Sequence, residues 1–180
     1  MIGIPLALAY QNVGEWLVHK YLLHGQGKKK TSFWSFHFHE HHRAARLNRM
    51  VDKDYLRPLR GWTPQTKEAA GLVGLTLLHL PLAPVAPFFY GTFVYANVRY
   101  YQMHKKAHLD PEWGRANLPW HYDHHMGPNQ DANWCVTNPW ADNWLGTRIV
   151  YAGTEKEQRD DARRKERLAE PAAKEAMAAK

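Results

Sequence analysis

The chain has almost nothing with which to fix a fold covalently: one cysteine, Cys135, in 180 residues. This excludes an intramolecular disulfide framework and a CxxC zinc site, so a bound metal has to be held by His, Asp or Glu. A lone thiol suits a reducing compartment. No glycine-rich phosphate loop precedes a helix, and no internal repeat divides the sequence. The N-terminus lacks the positively charged opening and the small-residue cleavage site of a signal peptide. Acidic residues are the scarcer charge, 17 against 24 Lys and Arg, for a formal net charge of +7. An excess of that sign fits either nucleic acid or anionic lipid headgroups.

Histidine is what the chain has in quantity: 12 residues. His121, His124 and His125 stand at i, i+3 and i+4, a spacing that on a helix projects three imidazoles from one face toward a single point. Neutral imidazole is the commonest nitrogen ligand for transition metals, so this is a metal-ligand spacing. Three similar groups lie upstream: His19 with His24, His37 with His41 and His42, and His104 with His108. His19 and His24 would lie about 140° apart around an α-helix, so that pair requires a distorted helix end. His39 points roughly opposite to His37 and falls outside the ligand set. The ten remaining after His39 and, as argued below, His79 are set aside are too many for one tetrahedral ion and suit two ions of higher coordination. An all-nitrogen set leaves the metal open. Glu15, one turn before His19, is a candidate for orienting that imidazole, and Asp123 and Asn133 are candidates of the same kind.

The composition supports one domain with a sizeable core, 44% apolar and 13% aromatic. The expected fold class is all-α. A helix over residues 4–24 would be about 30 Å long, with Gln11, Asn12 and Glu15 facing a protein interior, a cavity or the interface. Thr63 and Pro64 make an N-cap and first-turn pair. From there an apolar arm runs to Leu80, and Pro81, Pro84 and Pro87 interrupt it before a second arm reaches His108. The arms, about 25 and 33 Å, match a hydrocarbon core of about 30 Å, which predicts a transmembrane hairpin. A mean hydropathy of −0.61 keeps a pair of buried helices in a soluble protein as the alternative. Gly71 and Gly74 read as close helix packing.

The hairpin leaves every histidine on one side except His79 at its tip, which is therefore rejected as a ligand. Lys and Arg flank the histidine side and the proline turn carries none, so that side is predicted to be cytoplasmic. For the same reason Arg43, Arg46, Arg49, Arg57 and Arg60 are assigned to a membrane surface and not to nucleic acid. Residues 1–153 form the membrane-embedded histidine domain. Residues 154–180 are expected to be a charged helical or frayed tail, interrupted near Pro171 and without chemistry.

His19-x4-His24, His37-x3-His41-His42, His104-x3-His108 and His121-x2-His124-His125 resemble the ordered histidine boxes of the fatty acid hydroxylase and sterol desaturase superfamily. These are integral-membrane oxygenases with a dinuclear metal centre. The segment 133–147, NWCVTNPWADNWLGT, resembles the element after the last box, and the similarity covers most of residues 15–148. The resemblance implies an O2-dependent hydroxylase with two irons, for which zinc can substitute. It also implies a lipid substrate, a fatty-acyl chain first, and an electron donor such as a cytochrome or ferredoxin. The second box has three residues before its histidine pair where many members have two, which leaves His37 or His39 open as its first ligand. WLVHKYLLHG is also similar to bacterial carotenoid hydroxylases, and desaturation is the alternative reaction within the superfamily. A non-catalytic metal-binding membrane protein is the alternative outside it.

Overall fold

The computed structural model describes residues 2–178, and every regular element among them is helical, with no strand. The helices are α1 (Gly3–Leu17), α2 (Arg43–Leu47), α3 (Pro64–Leu78), α4 (Pro87–Leu109), α5 (Pro111–Asn117), α6 (Pro119–Met126), α7 (Trp140–Trp144) and α8 (Glu155–Ala178). Four of them, α3 to α6, begin with proline at the first helical turn, where its missing N–H is not needed. The Thr63 hydroxyl accepts from Thr66 N at the start of α3, and the Asp110 carboxylate accepts from Trp113 N at the start of α5.

Two stretches are wound as π-helix, and both carry histidines. Val18–Gln26 continues α1 as a π-helix, and Phe36–His42 leads into α2 as another. The i→i+5 bonding of a π-helix brings residues five apart to one side. This is the distorted helix end that His19 and His24 require, and the same geometry aligns His37 with His42. Gly27 closes the first π segment: a Cβ there would lie 1.8 Å from Leu23 O, so only glycine fits.

Helix α4 is the centre of the packing. α1 crosses it so closely that a Cβ on Gly3 would be 2.9 Å from Phe89 N, and Ala7 of α1 and Ala96 of α4 are buried. α3 folds back on α4 through the short turn Leu80–Leu82, so the expected hairpin forms. It does not supply a spanning segment. Among the described residues no helix is long and apolar enough to cross a membrane. The 15 residues of α3 reach about 22 Å, short of a hydrocarbon core of about 30 Å, and α4 carries Arg99, Lys105 and Lys106. Apolar side chains are nonetheless exposed on the outer faces and at the tip, among them Leu6 and Leu17 of α1, Leu77 and Leu78 of α3, Val85 and Phe88.

The segment after α6 is fastened to α1 by polar groups. The Glu15 carboxylate accepts from Val136 N and Thr137 N at 2.8 and 3.0 Å, and Asn12 bonds Asn138 O and Ala141 N. Asp142 accepts from the backbone N–H of Trp134 and Cys135, both at 2.9 Å. At the C-terminal end, α8 continues through Pro171, where an interruption was expected. Its first turns are docked: Arg115 grips the buried Glu157 through two bonds of 2.8 and 2.7 Å. That grip holds the Glu157 carboxyl down at about 2. The arginines expected at a surface are partly committed inward. Arg46 donates to His125 O and Gly127 O, while Arg49 pairs with Asp161 and Arg57 with Asp54.

Candidate metal centre

All ten histidines of the four boxes converge in the interior, and none is more than 4% exposed. They form two adjoining clusters. The ligand atoms of His19, His24, His37, His42 and His124 lie within 4.8 Å of one another, as do those of His41, His104, His108 and His125. His121 adjoins the second group, its Nε2 3.1 Å from His108 Nε2. The rings of His42 and His125 are 4.2 Å apart, so the clusters share a wall. His39 lies outside, with Nε2 against Lys28 O, and His79 is at the hairpin tip beside Tyr10.

Two expectations about spacing are corrected. His121, His124 and His125 do not aim at one point: His124 belongs to the first cluster, whereas His121 and His125 belong to the second. His37 and His41, one α-turn apart, also separate, because the π geometry groups His37 with His42.

The protonation pattern follows from what each Nδ1 touches. A carbonyl oxygen can only accept, so Nδ1 of His19, His124 and His108 carries the proton and donates to Trp134 O, Ala132 O and Met50 O at 2.6, 2.6 and 2.8 Å. His41 Nδ1 donates to the Asp52 carboxylate at 2.8 Å, His42 Nδ1 to Gln130 Oε1 at 3.0 Å, and His104 Nδ1 to Glu68. Tyr55, which donates to Glu68 at 2.6 Å, braces that last pair. Burial holds His37, His42, His121 and His125 well below the usual imidazole range and brings His124 down to about 3, so these rings are neutral. A neutral ring with its proton on Nδ1 has only a lone pair on Nε2.

Those lone pairs face one another. His42 Nε2 and His124 Nε2 are 3.1 Å apart with no proton to share, and His19, His37 and His24 add Nε2 contacts of 2.9 to 3.2 Å. In the second cluster His41 Nε2, His104 Nε2 and both nitrogens of His125 are buried without any partner. Converging unpaired acceptors are costly in a protein interior unless a cation sits among them. Nitrogens bound to one ion at about 2.0–2.1 Å stand about 3 Å apart, which is the spacing here. The donor set therefore fits two metal ions, one per cluster.

The residues that orient the imidazoles differ from those expected. Glu15, Asp123 and Asn133 touch no histidine ring. Glu15 bonds the 136–137 backbone, Asp123 holds Ala152 N and Arg148, and Asn133 bonds Ile149 and Arg148. Their effect on the cluster is indirect, because the segment they fasten presents the Ala132 and Trp134 carbonyls. The direct partners are Asp52, Glu68, Tyr55, Gln130 and three backbone carbonyls. Met50 reaches His108 from a turn in which Arg49 and Met50 both take positive φ, 54° and 78°. Two successive non-glycine residues in that region are a strain kept where a function depends on it.

Two cavities approach the clusters. One, of about 390 Å3, runs between α1, α3 and α4; its inner end is formed by His19, His37, His41 and His104, and its walls are mostly apolar. The other, of about 430 Å3, opens on the opposite side over His42 and Gln130 and is rimmed by Lys30, His39 and Arg43.

Neither the curated proteins nor the solved structures contain a match to this chain. A family model described as fatty acid hydroxylase matches residues 4–147, a span that contains all four histidine boxes and the fastened segment after them, and on that match the chain belongs to the fatty acid hydroxylase family, within the fatty acid hydroxylase and sterol desaturase superfamily.

Proposed function

We propose that the protein is a membrane-bound dimetal oxygenase that hydroxylates a lipid, most simply a fatty-acyl chain, with O2 and electrons from an external protein such as a cytochrome or ferredoxin. The observation that carries this reading is the presence of proton-free, unpartnered Nε2 atoms, those of His41 and His104, at the end of an apolar cavity. His19, His24, His37, His42 and His124 would hold one ion, and His41, His104, His108, His121 and His125 the other. When bound, two irons would supply the activation of O2 and the removal of hydrogen from an unreactive C–H bond. The chain's own residues do the rest. Asp52, Glu68, Gln130 and the Trp134, Ala132 and Met50 carbonyls keep each proton on Nδ1 and each ring turned inward. Leu23, Phe36, Leu72 and Leu75 line the cavity with hydrocarbon, which excludes water and leaves room for a chain beside His19, His37, His41 and His104.

The exposed apolar rim of α1 and of the α3–α4 hairpin supports insertion into a bilayer, with the histidine side cytoplasmic. Cysteines introduced at Ala83 and at the exposed Ala116, near the buried Gly114, test that topology: the second should label from the cytoplasmic side and the first should not. Equal labelling of both from that side would overturn it. The reaction is tested by mass spectrometry of membrane lipids from cells with and without the protein. Hydroxylation adds one oxygen, which carries 18O when oxygen gas carries it, whereas desaturation removes two hydrogens. No product among acyl lipids, sterols and carotenoids would leave a non-catalytic metal-binding protein.

A further inference from the structure

We propose that the apolar cavity measures chain length. Gly14 and Gly71 keep it wide enough for a straight hydrocarbon chain, and Tyr10, His79 and Phe93 close its far end against the chain's methyl terminus. The inference rests on the lipid-oxidising reading of the histidine site, and its test separates the two.

The glycines come first. Gly14 on α1 and Gly71 on α3 both line the cavity, and a Cβ on either would meet nothing within 4 Å. Close packing, expected for Gly71 and Gly74 from their place in an apolar arm, is absent at both. Glycine inside a helix is destabilising relative to alanine, and nothing in the packing around Gly14 or Gly71 requires it. What the missing side chains provide is bore, from two facing walls of one slot.

The end wall is built across that slot. His79 Nδ1 donates to Leu75 O at 2.8 Å, so its Nε2 is an acceptor and takes the Tyr10 hydroxyl proton at 2.8 Å. This bond ties α1 to the end of α3. The Phe93 ring lies 4.4 Å from the His79 ring and 5.9 Å from that of Tyr10. Both histidine nitrogens and the tyrosine proton are used within the wall, so it offers no hydrogen-bond donor to a carboxylate. The end of the chain that fits against it is a methyl group.

The depth follows from helical rise. Phe93 and His104 are eleven positions apart on α4, as are Glu68 and His79 along α3 and its C-cap, about 16 Å at 1.5 Å per residue. With C–C bonds of about 1.5 Å, an extended chain advances roughly 1.3 Å per carbon, so the groove accepts about a dozen carbons between the metal-facing imidazoles and the wall. The carbon presented for oxidation would lie about that far from the methyl end.

The test is binding, with the full-length protein loaded with zinc so that no turnover occurs. Displacement of the fluorescent fatty acid cis-parinaric acid is measured for saturated fatty acids of 10 to 20 carbons. The affinity should pass through an optimum in chain length. His79→Ala and Phe93→Ala should move that optimum to chains longer by about two carbons or more, because each removes part of the wall. Gly71→Leu should weaken binding about tenfold or more at every length while the zinc content stays at the wild-type level. A wild-type length profile in both wall variants, or unchanged affinity in a folded, zinc-loaded Gly71→Leu protein, would overturn the proposal. Should Gly71→Leu fail to fold, the wall variants decide alone. A length optimum that shifts as predicted in a protein that oxidises no lipid would leave the groove standing and remove the oxygenase reading.

Discussion

In the cluster of His19, His24, His37, His42 and His124 the rings are held chiefly by neutral groups, whereas in that of His41, His104, His108, His121 and His125 two of the rings are held by carboxylates. In the first, Nδ1 atoms donate to the Trp134 and Ala132 carbonyls and to the Gln130 amide. Its one acid, Asp131, is 3.5 Å from His24 Nδ1, half exposed, and paired with Lys28 at 2.6 Å. In the second, Asp52 and Glu68 bond His41 and His104 directly and are largely shielded from water. A carboxylate behind an imidazole raises the basicity of the ring and offsets part of a buried ion's charge. With His121 counted, each cluster offers five imidazoles and the second adds more charge compensation, so two ions bound here would not be equivalent.

The largest effect should come from removing a ligand on either side. His124→Ala should abolish lipid oxidation, a loss of at least about a hundredfold, and bring bound metal from two per chain toward one. His41→Ala should do the same at the other ion. Membrane insertion should be unchanged in both, because it depends on apolar surfaces remote from the cluster. Elemental analysis of the purified variants checks this. Loss of both ions in each variant would mean that the clusters act as a single site.

Smaller effects should separate the clusters by charge. Asp52→Asn should weaken the second ion about 10- to 100-fold and leave the first in place, read from a titration against a competing chelator. Gln130→Glu tests the converse, since it puts a carboxylate behind His42 in the first cluster. Lys30 and Arg43 at the rim of the same pocket favour its ionised form, so the first ion should bind more tightly, by about tenfold at most. Equal responses of both ions to both variants would dissolve the distinction.

Much of this architecture can be read from residue order, and the part that cannot has a physical cause. The Thr63–Pro64 pair marks the start of α3, and the three prolines between the arms mark the hairpin, whereas the Asp110 cap before Pro111 went unread as the start of α5. The five-residue spacing of His19 and His24 calls for a distorted helix, and the same spacing in His37 and His42 carried the signal for the second π segment. The division of His121, His124 and His125 between two clusters had no such signal, because it depends on where the other boxes arrive in space. The orienting groups were least legible. Backbone carbonyls leave no mark in a sequence, and Asp52, Glu68 and Gln130 lie 11, 36 and 88 positions from the histidines they bond. Glu15 stood at the right helical distance from His19, but its carboxylate is taken by the 136–137 backbone.

The smallest expected effect bears on the boundary of both clusters. His39 sits within the second box, two positions before the pair, and could have replaced His37 as its first member. Its Nε2 bonds Lys28 O at 3.0 Å, on the side away from the converging nitrogens, whereas His37 Nε2 meets those of His19 and His42 at 2.9 and 3.2 Å. His79 is separated from the clusters by the length of the groove, and both its nitrogens are bonded. His39→Ala and His79→Ala should therefore retain close to two metals per chain, while His37→Ala should lose about one. For His79→Ala the metal count and the chain-length profile should part company, the first unchanged and the second shifted. Loss of one metal in His39→Ala would move the first cluster's edge outward by one π-helical side. Loss in His79→Ala would mean that the hairpin tip reaches the ions, and the measured groove would have no length to measure.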